Sequence, residues 1–361
     1  MITILLTLPF FMGNIAKTEV DNSLHIVMVG DMLMHERVME SGKQEDGSYQ
    51  FDHLFSNVKD TIWEADLALV NQETILGGTQ LRLSGYPCFN SPYELGDALV
   101  DAGFDVVLHA TNHTLDKGKA GVVNCMNYWK ENHPQIACLG VNESEAWQEE
   151  YLYIYEHEDM KVAVLNYTYG TNGIAAPADM PYVVNYMDKE KMKKDLLRAE
   201  EEADFTIVCP HWGTEYVLEE TKSQIAWAQF MTENGADLII GTHPHVIEPI
   251  KWVQAENGKE ALVYYSIGNF VNGTSGTGPG TLNRMVGGIA DIRLTKTAQG
   301  DVMIEEYGVI PIVCHIEDGS EYSVYYLEDY TEEMASRNHI ISQDESFNVS
   351  NCKSLVERVW Q

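Results

Sequence analysis

The most chemically loaded unit of this 361-residue sequence is a pair of imidazoles one residue apart, His243-Pro244-His245. Proline fixes its own φ and drives the preceding residue out of the helical region. In extended chain, residues two apart face the same side. The unit is therefore expected to present both rings stiffly to one point, an arrangement suited to a divalent cation. A lone histidine is more often a core or surface residue. Asp31 follows the apolar run LHIVMVG, and Glu73 follows LALVNQ. Taken singly, Asp31 reads as well as a helix N-cap and Glu73 as a solvated loop acid. Buried together they would need a cation between them, because neighbouring like charges disfavour ionisation. Asn112 alone is a turn residue; beside these groups it becomes an oxygen donor. His211 closes a further apolar run, DFTIVCP.

His113 and Asp116 are three apart and can meet on a turn. Asp116 would then orient His113, leaving the imidazole as a general acid or a contact to a leaving oxygen. The plainer alternative is a packed histidine and an acid early in a helix. After His211 come Trp212, Gly213, Glu215 and Tyr216. Gly213 allows close backbone approach, Glu215 could support a ligand or touch substrate, and the two aromatics are expected to pack. Ser266, Gly268 and Asn269 either line the same cleft or form a tight turn. Arg284 could hold an anionic group bidentately or be a surface arginine. Before it, Asn272–Gly280 (NGTSGTGPG) reads as a connector, with a lid or phosphate cradle as the alternative.

Positioning these groups falls to alternating elements. Short apolar runs are expected as strands at 24–30, 67–71, 104–109, 161–167, 204–209 and 237–240, with helices at 92–102, 118–132, 189–202 and 221–234. Five of these runs deliver a carboxylate, amide or imidazole just past their carboxyl ends, the edge where ligand sites assemble in open α/β sheets. Beyond 250 the texture turns strand-rich, which predicts a second, largely antiparallel sheet. The core is expected to fold as one unit from residue 22 to about 328, with 329–361 as a peripheral C-terminal segment.

Hydrophobic residues make up 45% of the chain, enough for a core, which excludes a disordered chain. Acidic residues number 55 against 23 basic ones, a formal charge of −32. That field repels phosphate backbones and excludes broad nucleic-acid binding; an anionic substrate would need a local cation. The six cysteines include no C-x-x-C pair and read mostly as small apolar residues. Residues 1–12 (MITILLTLPFFM) are too short to span a bilayer as a helix and look like the core of a secretory signal without its basic lead. Residues 1–21 are read as a signal or anchor remnant, with export favoured.

The motifs VGDMLMHERV, LVNQETIL, TNHTLDKG, PHWGTEY, IIGTHPHVIEP and YSIGNFV occur in order. Over residues 25 to 315 the sequence thereby resembles the CapA/PgsA family of poly-γ-glutamate capsule biosynthesis proteins, related to calcineurin-like metallophosphoesterases. The resemblance implies an α/β fold, a four-layer αββα sandwich, with a dinuclear centre at the strand ends. Carried over by motif, Asp31, Glu73, Asn112, His211, His243 and His245 would be the ligands, with Glu73 in a bridging position. Two divalent ions are implied, with Mn, Fe, Zn and Mg equally compatible. From the residues themselves, His113 and Asp116 are read as catalytic, and Glu215, Asn269 and Arg284 as substrate contacts. The implied activity is that of a metal-dependent hydrolase acting in capsule polymer synthesis, export or anchoring. Its substrate would be an anionic polymer or phosphoester, its partners membrane-bound synthase subunits, and its place the cell surface, anchored through a segment truncated or missing here. The alternative is a non-catalytic, metal-stabilised accessory subunit of such a synthase; a weaker one is a metal-free polymer-binding module. The sequence departs from the wider phosphoesterase pattern at Asp31-Met32-Leu33, which lacks the usual Asp-x-His, and at Thr114, where those enzymes have an acid. One metal position is therefore expected to be weaker or to take a different ion.

Overall fold

β1 (Ser23–Met32) is buried almost throughout, and its side chains alternate between two apolar layers. Ile26 and Met28 point into a central core, whereas Val27 and Val29 point outward. A strand buried on both faces has no polar face to show, which is why its sequence is a continuous apolar run. The computed structural model describes residues 23–318 and 321–360; the signal or anchor expected over 1–21 lies outside them.

The remaining strands are β2 (Leu67–Asn71), β3 (Val106–Leu108), β4 (Ala137–Leu139), β5 (Tyr153–His157), β6 (Met160–Thr168), β7 (Phe205–His211), β8 (Leu238–Ile240), β9 (Ile250–Gln254), β10 (Glu260–Tyr264), β11 (Asn269–Val271), β12 (Val286–Lys296), β13 (Val302–Glu317) and β14 (Glu321–Tyr326). One sheet runs β14-β13-β12-β1-β2-β3-β4, with β11 pairing the end of β1; the other runs β5-β6-β7-β8-β10-β9. β1 to β4 are mutually parallel, as are β6, β7, β8 and β10. The late strands do not form a separate antiparallel sheet, as their texture predicted. β12 to β14 extend the first sheet antiparallel from β1, and β9 and β10 join the second. Strand-rich texture records local pairing but not which open edge the hairpin will reach. The short strands β4, β5 and β11 were also missed.

The two sheets face each other across a core built from Leu24, Leu69 and Val106 on one side and Val164, Ile207, Leu238 and Leu262 on the other. The helix Glu94–Ala102 and the helix Gly118–Asn132, with Leu95, Leu99, Cys125 and Trp129, cover the outer face of the first sheet. Lys189–Glu202 and Lys222–Glu233 cover the second through Met192, Leu196, Ala228 and Met231. The result is a four-layer αββα sandwich. The segment after 328, expected at the periphery, packs Tyr330, Ile340, Phe347, Cys352 and Leu355 into the outer core of the first sheet. All six cysteines are unpaired and four of them buried. Among the described residues, no helix is long and apolar enough to cross a membrane.

Candidate metal centre

The carboxyl ends of β1, β2, β3 and β7 and the loop after β8 meet at one edge of the sandwich. β1 reaches it through Gly30, where a Cβ would stand 1.9 Å from the Gly268 carbonyl oxygen. Only glycine permits that approach. The pairing with β2 shifts register here, and the Asp31 N–H donates to Gly268 O at 3.0 Å. The Asp31 side chain is wholly buried. It accepts from Asn71 Nδ2 at 2.8 Å and, at 3.2 Å to both oxygens, from the backbone N–H of His243. His245 Nδ1 lies 3.1 Å from its Oδ2.

The His-Pro-His unit is not extended, as predicted, but bent. His243 has φ 98° and His245 φ 58°, both left-handed. Such backbone costs on the order of 1–3 kcal/mol per residue and concentrates at functional sites. The bend still brings the rings together, with centroids 5.8 Å apart, and the His243 ring lies 4.8 Å from that of His211.

Glu73 lies at the centre. It is 1% exposed, and neither carboxyl oxygen has a hydrogen-bond partner. Its Oε1 is 3.6 Å from His245 Nε2, 3.7 Å from His211 Nε2 and 4.0 Å from His113 Nε2. Burial pushes its pKa well above the usual carboxylate range; His245 opposes this, and Asp31, Glu215 and Asp116 add to it. His245 shows the reciprocal response. Burial acts to lower its pKa, but Glu73 and Asp31 override burial and hold it up at about 10. Burial drives His211 and His243 well below the ordinary imidazole value, so both stay neutral, the state that binds metal. His243 Nδ1 is buried without a partner. Orphaned carboxylate oxygens with neutral imidazoles facing them fit a bound divalent cation.

The donors fall into three overlapping groups whose atoms lie within 4.8 Å of one another: Asp31, Glu73 and His245; Glu73, His211 and His243; and Glu215, His243 and His245. Asn112 joins through its Oδ1, 3.0 Å from His211 Nε2. The six expected ligands are thus assembled at one place. Glu215, expected at substrate, stands among the metal-capable groups instead. His35 belongs to none of these groups among the described residues. It precedes the helix Glu36–Ser41, packs edge-on against Phe89 and lines the cavity beside His245.

His113 and Asp116 meet as expected: Nδ1 donates to Asp116 Oδ2 at 2.7 Å, and the same oxygen accepts the Phe89 N–H. With Nδ1 committed, Nε2 is the nitrogen turned toward Glu73. Asn269 uses both amide hydrogens on the protein, on His245 O at 3.0 Å and Arg284 O at 2.9 Å, and its Oδ1 lies 3.1 Å from His245 Nδ1. It supports His245 rather than reaching for substrate. Arg284 lines a cavity shared with Glu215, Tyr216 and His245. Sequence reasoning missed Asn71 and Tyr169. The first was counted as the last residue of a strand, yet a polar residue closing an apolar run is the same signal that marked His211. The Tyr169 ring lies 4.7 Å from that of His243, tilted by 47°, and the residue follows β6, a strand whose end carries no acid or imidazole to flag it.

The chain is 28% identical over 71% of its length to the PGA biosynthesis protein CapA of Bacillus subtilis (strain 168), and 27% identical over 71% to the capsule biosynthesis protein CapA of Bacillus anthracis. It spans 65% and 61% of those two proteins. Solved structures similar to it include a 5'-nucleotidase precursor from Thermus thermophilus, with TM-score 0.49, 13% identity, and 93% of this chain and 58% of that one covered. Haemophilus influenzae NAD nucleotidase gives TM-score 0.47, 12% identity, and 93% and 59% coverage. The family described as bacterial capsule synthesis protein PGA_cap matches residues 25–274, well over half of the sequence, and the chain belongs to that family.

Proposed function

We propose that this chain is a metal-dependent hydrolase or transferase working at the cell surface on an anionic capsule polymer of the poly-γ-glutamate kind, or on a phosphoester intermediate of its assembly. The observation that carries this reading is Glu73, a buried carboxylate with no hydrogen-bond donor, ringed by imidazole nitrogens at 3.6 to 4.0 Å. Asp31, Glu73 and His245 would hold one divalent ion. Glu73, Asn112, His211 and His243 would hold a second, with Glu215 reaching the pair through His243 and His245. Bound there, such ions supply a nucleophile at neutral pH and positive charge opposite the developing anion. The chain's own contribution is orientation and proton handling. Asn71 and the His243 N–H fix the plane of Asp31, and Asn269 fixes His245. Asp116 fixes one His113 proton on Nδ1; when the ring also carries a second proton on Nε2, that proton is the one positioned to pass to a leaving oxygen. The segment after 328 would belong to the same domain, since Tyr330, Ile340, Phe347, Cys352 and Leu355 pack into its outer core.

A second reading, an accessory subunit of a membrane-bound synthase that keeps metal for architecture alone, is favoured by Leu33, which stands where related enzymes have a metal-binding histidine. Elemental analysis of the purified chain after Mn²⁺ loading, combined with turnover of bis-p-nitrophenyl phosphate, separates the two. Metal with turnover supports the enzyme; metal without turnover supports the accessory subunit; absence of metal overturns both.

A further inference from the structure

A cavity of about 310 Å³ opens beside His245, and Arg284 and Tyr216 form part of its wall. That volume is at the lower end of small-molecule sites. The Arg284 guanidinium carbon lies 3.6 Å from the centre of the Tyr216 ring, a cation–π stack that holds its plane. Nη1 donates to Thr274 Oγ1 at 3.0 Å. The backbone carbonyl of Arg284 accepts from Asn269, the residue that also holds His245. The cation is therefore fixed at both ends relative to the metal-capable groups.

What it lacks is a counter-ion. Arg198 and Arg337 each pair with a glutamate. Among the described residues, no carboxylate lies within 4.0 Å of Arg284, and its Nε is buried without a partner. Arg37, Arg82, Arg293 and Arg358 have no such pair among the described residues either, but they are exposed to solvent, whereas Arg284 is half-buried in the cavity wall. The one acid of the same cavity, Glu215, directs its carboxylate to His243 and His245. A guanidinium has five N–H donors in a planar fork, and Thr274 engages one of them.

We infer that Arg284, stacked on Tyr216, is the residue that recognises the substrate's anionic group, binding a carboxylate or phosphate oxyanion in this cavity while the reacting bond faces His245. This deepens the metal-dependent reading and rests on it for the second half of the statement. Carboxylate and phosphate present the same paired oxygens to the fork, and two probes tell them apart.

The full chain is titrated calorimetrically with inorganic phosphate and with a γ-linked glutamate trimer, as purified and again after chelation. The chelated arm reads the arginine without help from metal. Wild type is expected to bind at least one probe in both arms. Arg284→Ala is expected to weaken that binding by tenfold or more with unchanged metal content. Arg284→Lys, which keeps charge but loses the fork, should fall between; it also serves if the alanine variant does not fold. Binding of phosphate alone identifies a phosphoester substrate, and binding of the trimer alone a carboxylate polymer. The inference is overturned if chelated wild type binds neither probe, or if either folded variant binds as tightly as wild type. Elemental analysis reports on the metal reading independently, so loss of one does not mask the other.

Discussion

Glu73 carries the argument at the scale of single residues. A carboxylate without donors in a buried site is tolerated only if a cation or a proton neutralises it, and three imidazole nitrogens lie 3.6 to 4.0 Å from Glu73 Oε1. Replacing His243 by Ala removes a neutral nitrogen from two of the three donor groups. Bound metal is expected to fall by more than the roughly 10–100-fold that loss of an outer hydrogen-bond partner costs; unchanged metal by elemental analysis would remove His243 from the ligand set. Asn71→Ala provides the graded comparison. It deletes the 2.8 Å bond to Asp31 without touching a ligand, so metal affinity should drop by about 10–100-fold, measured by competition with a chromogenic chelator. His113→Ala should keep metal and lose about 10²–10⁴ in turnover of bis-p-nitrophenyl phosphate; a variant with wild-type rate would show that the Asp116–His113 pair is only packing. Asp31, Glu73, Asn112, His211, His243 and His245 were all readable in the sequence, because each lies at or just past the end of an apolar run. Asn71 was not, since a strand's last residue looks like part of the strand. Glu215 could be read only as a polar residue near His211; its approach to His243 and His245 depends on a loop whose course no local pattern encodes.

Among elements, the bend at His243-Pro244-His245 is held from behind by a polar joint between two segments. The helix Lys222–Glu233 starts with a capping box in which Thr221 and Gln224 satisfy each other's backbone N–H groups. The Gln224 amide then donates at 2.5 Å to Glu248, three residues past His245. Burial raises the Glu248 carboxyl from 4.5 to about 8, partly offset by Gln224 and reinforced by Glu220 and Glu219. The sign follows directly. Below pH 4.5 both folded and unfolded chains hold this proton; between 4.5 and 8 the unfolded chain releases it and the folded chain keeps it. The contribution of Glu248 to stability is therefore lost as pH rises through that window and levels off above it. Urea midpoints at pH 5 and pH 8 should differ more for wild type than for Glu248→Gln, and equal differences would show that Glu248 titrates normally. The sequence predicted this helix and the strands on either side of it, since local periodicity specifies them. It misjudged the His-Pro-His backbone because proline forbids a helical residue before it without saying which non-helical conformation follows. It misassigned the late strands because pairing partners are set by the edges that β1 and β8 leave open.

Over the molecule as a whole, the site is where the two sheets meet: Asp31 and Glu73 come from the first, and His211, His243 and His245 from the second. A cation bound by both halves ties them together, and it binds the folded chain only, because the donors lie up to 214 residues apart in sequence. Linkage then converts occupancy into stability, with about 2.7 kcal/mol gained at a free ion concentration 100 times Kd. For a chain of 361 residues, 1 kcal/mol shifts Tm by about 1.3 °C, so saturating Mn²⁺ should raise Tm by about 3–4 °C over the chelated protein. The fold's acidity supplies a competing explanation, since any salt screens the self-repulsion of a chain at −32. Two controls separate them. Screening raises Tm in Glu73→Gln and wild type alike and responds to NaCl at matched ionic strength. Binding at the sheet junction raises Tm only where Glu73 is intact and saturates at micromolar to millimolar ion. A Mn²⁺ increment of the same size in Glu73→Gln would mean that the ions stabilise the acidic surface and not the centre.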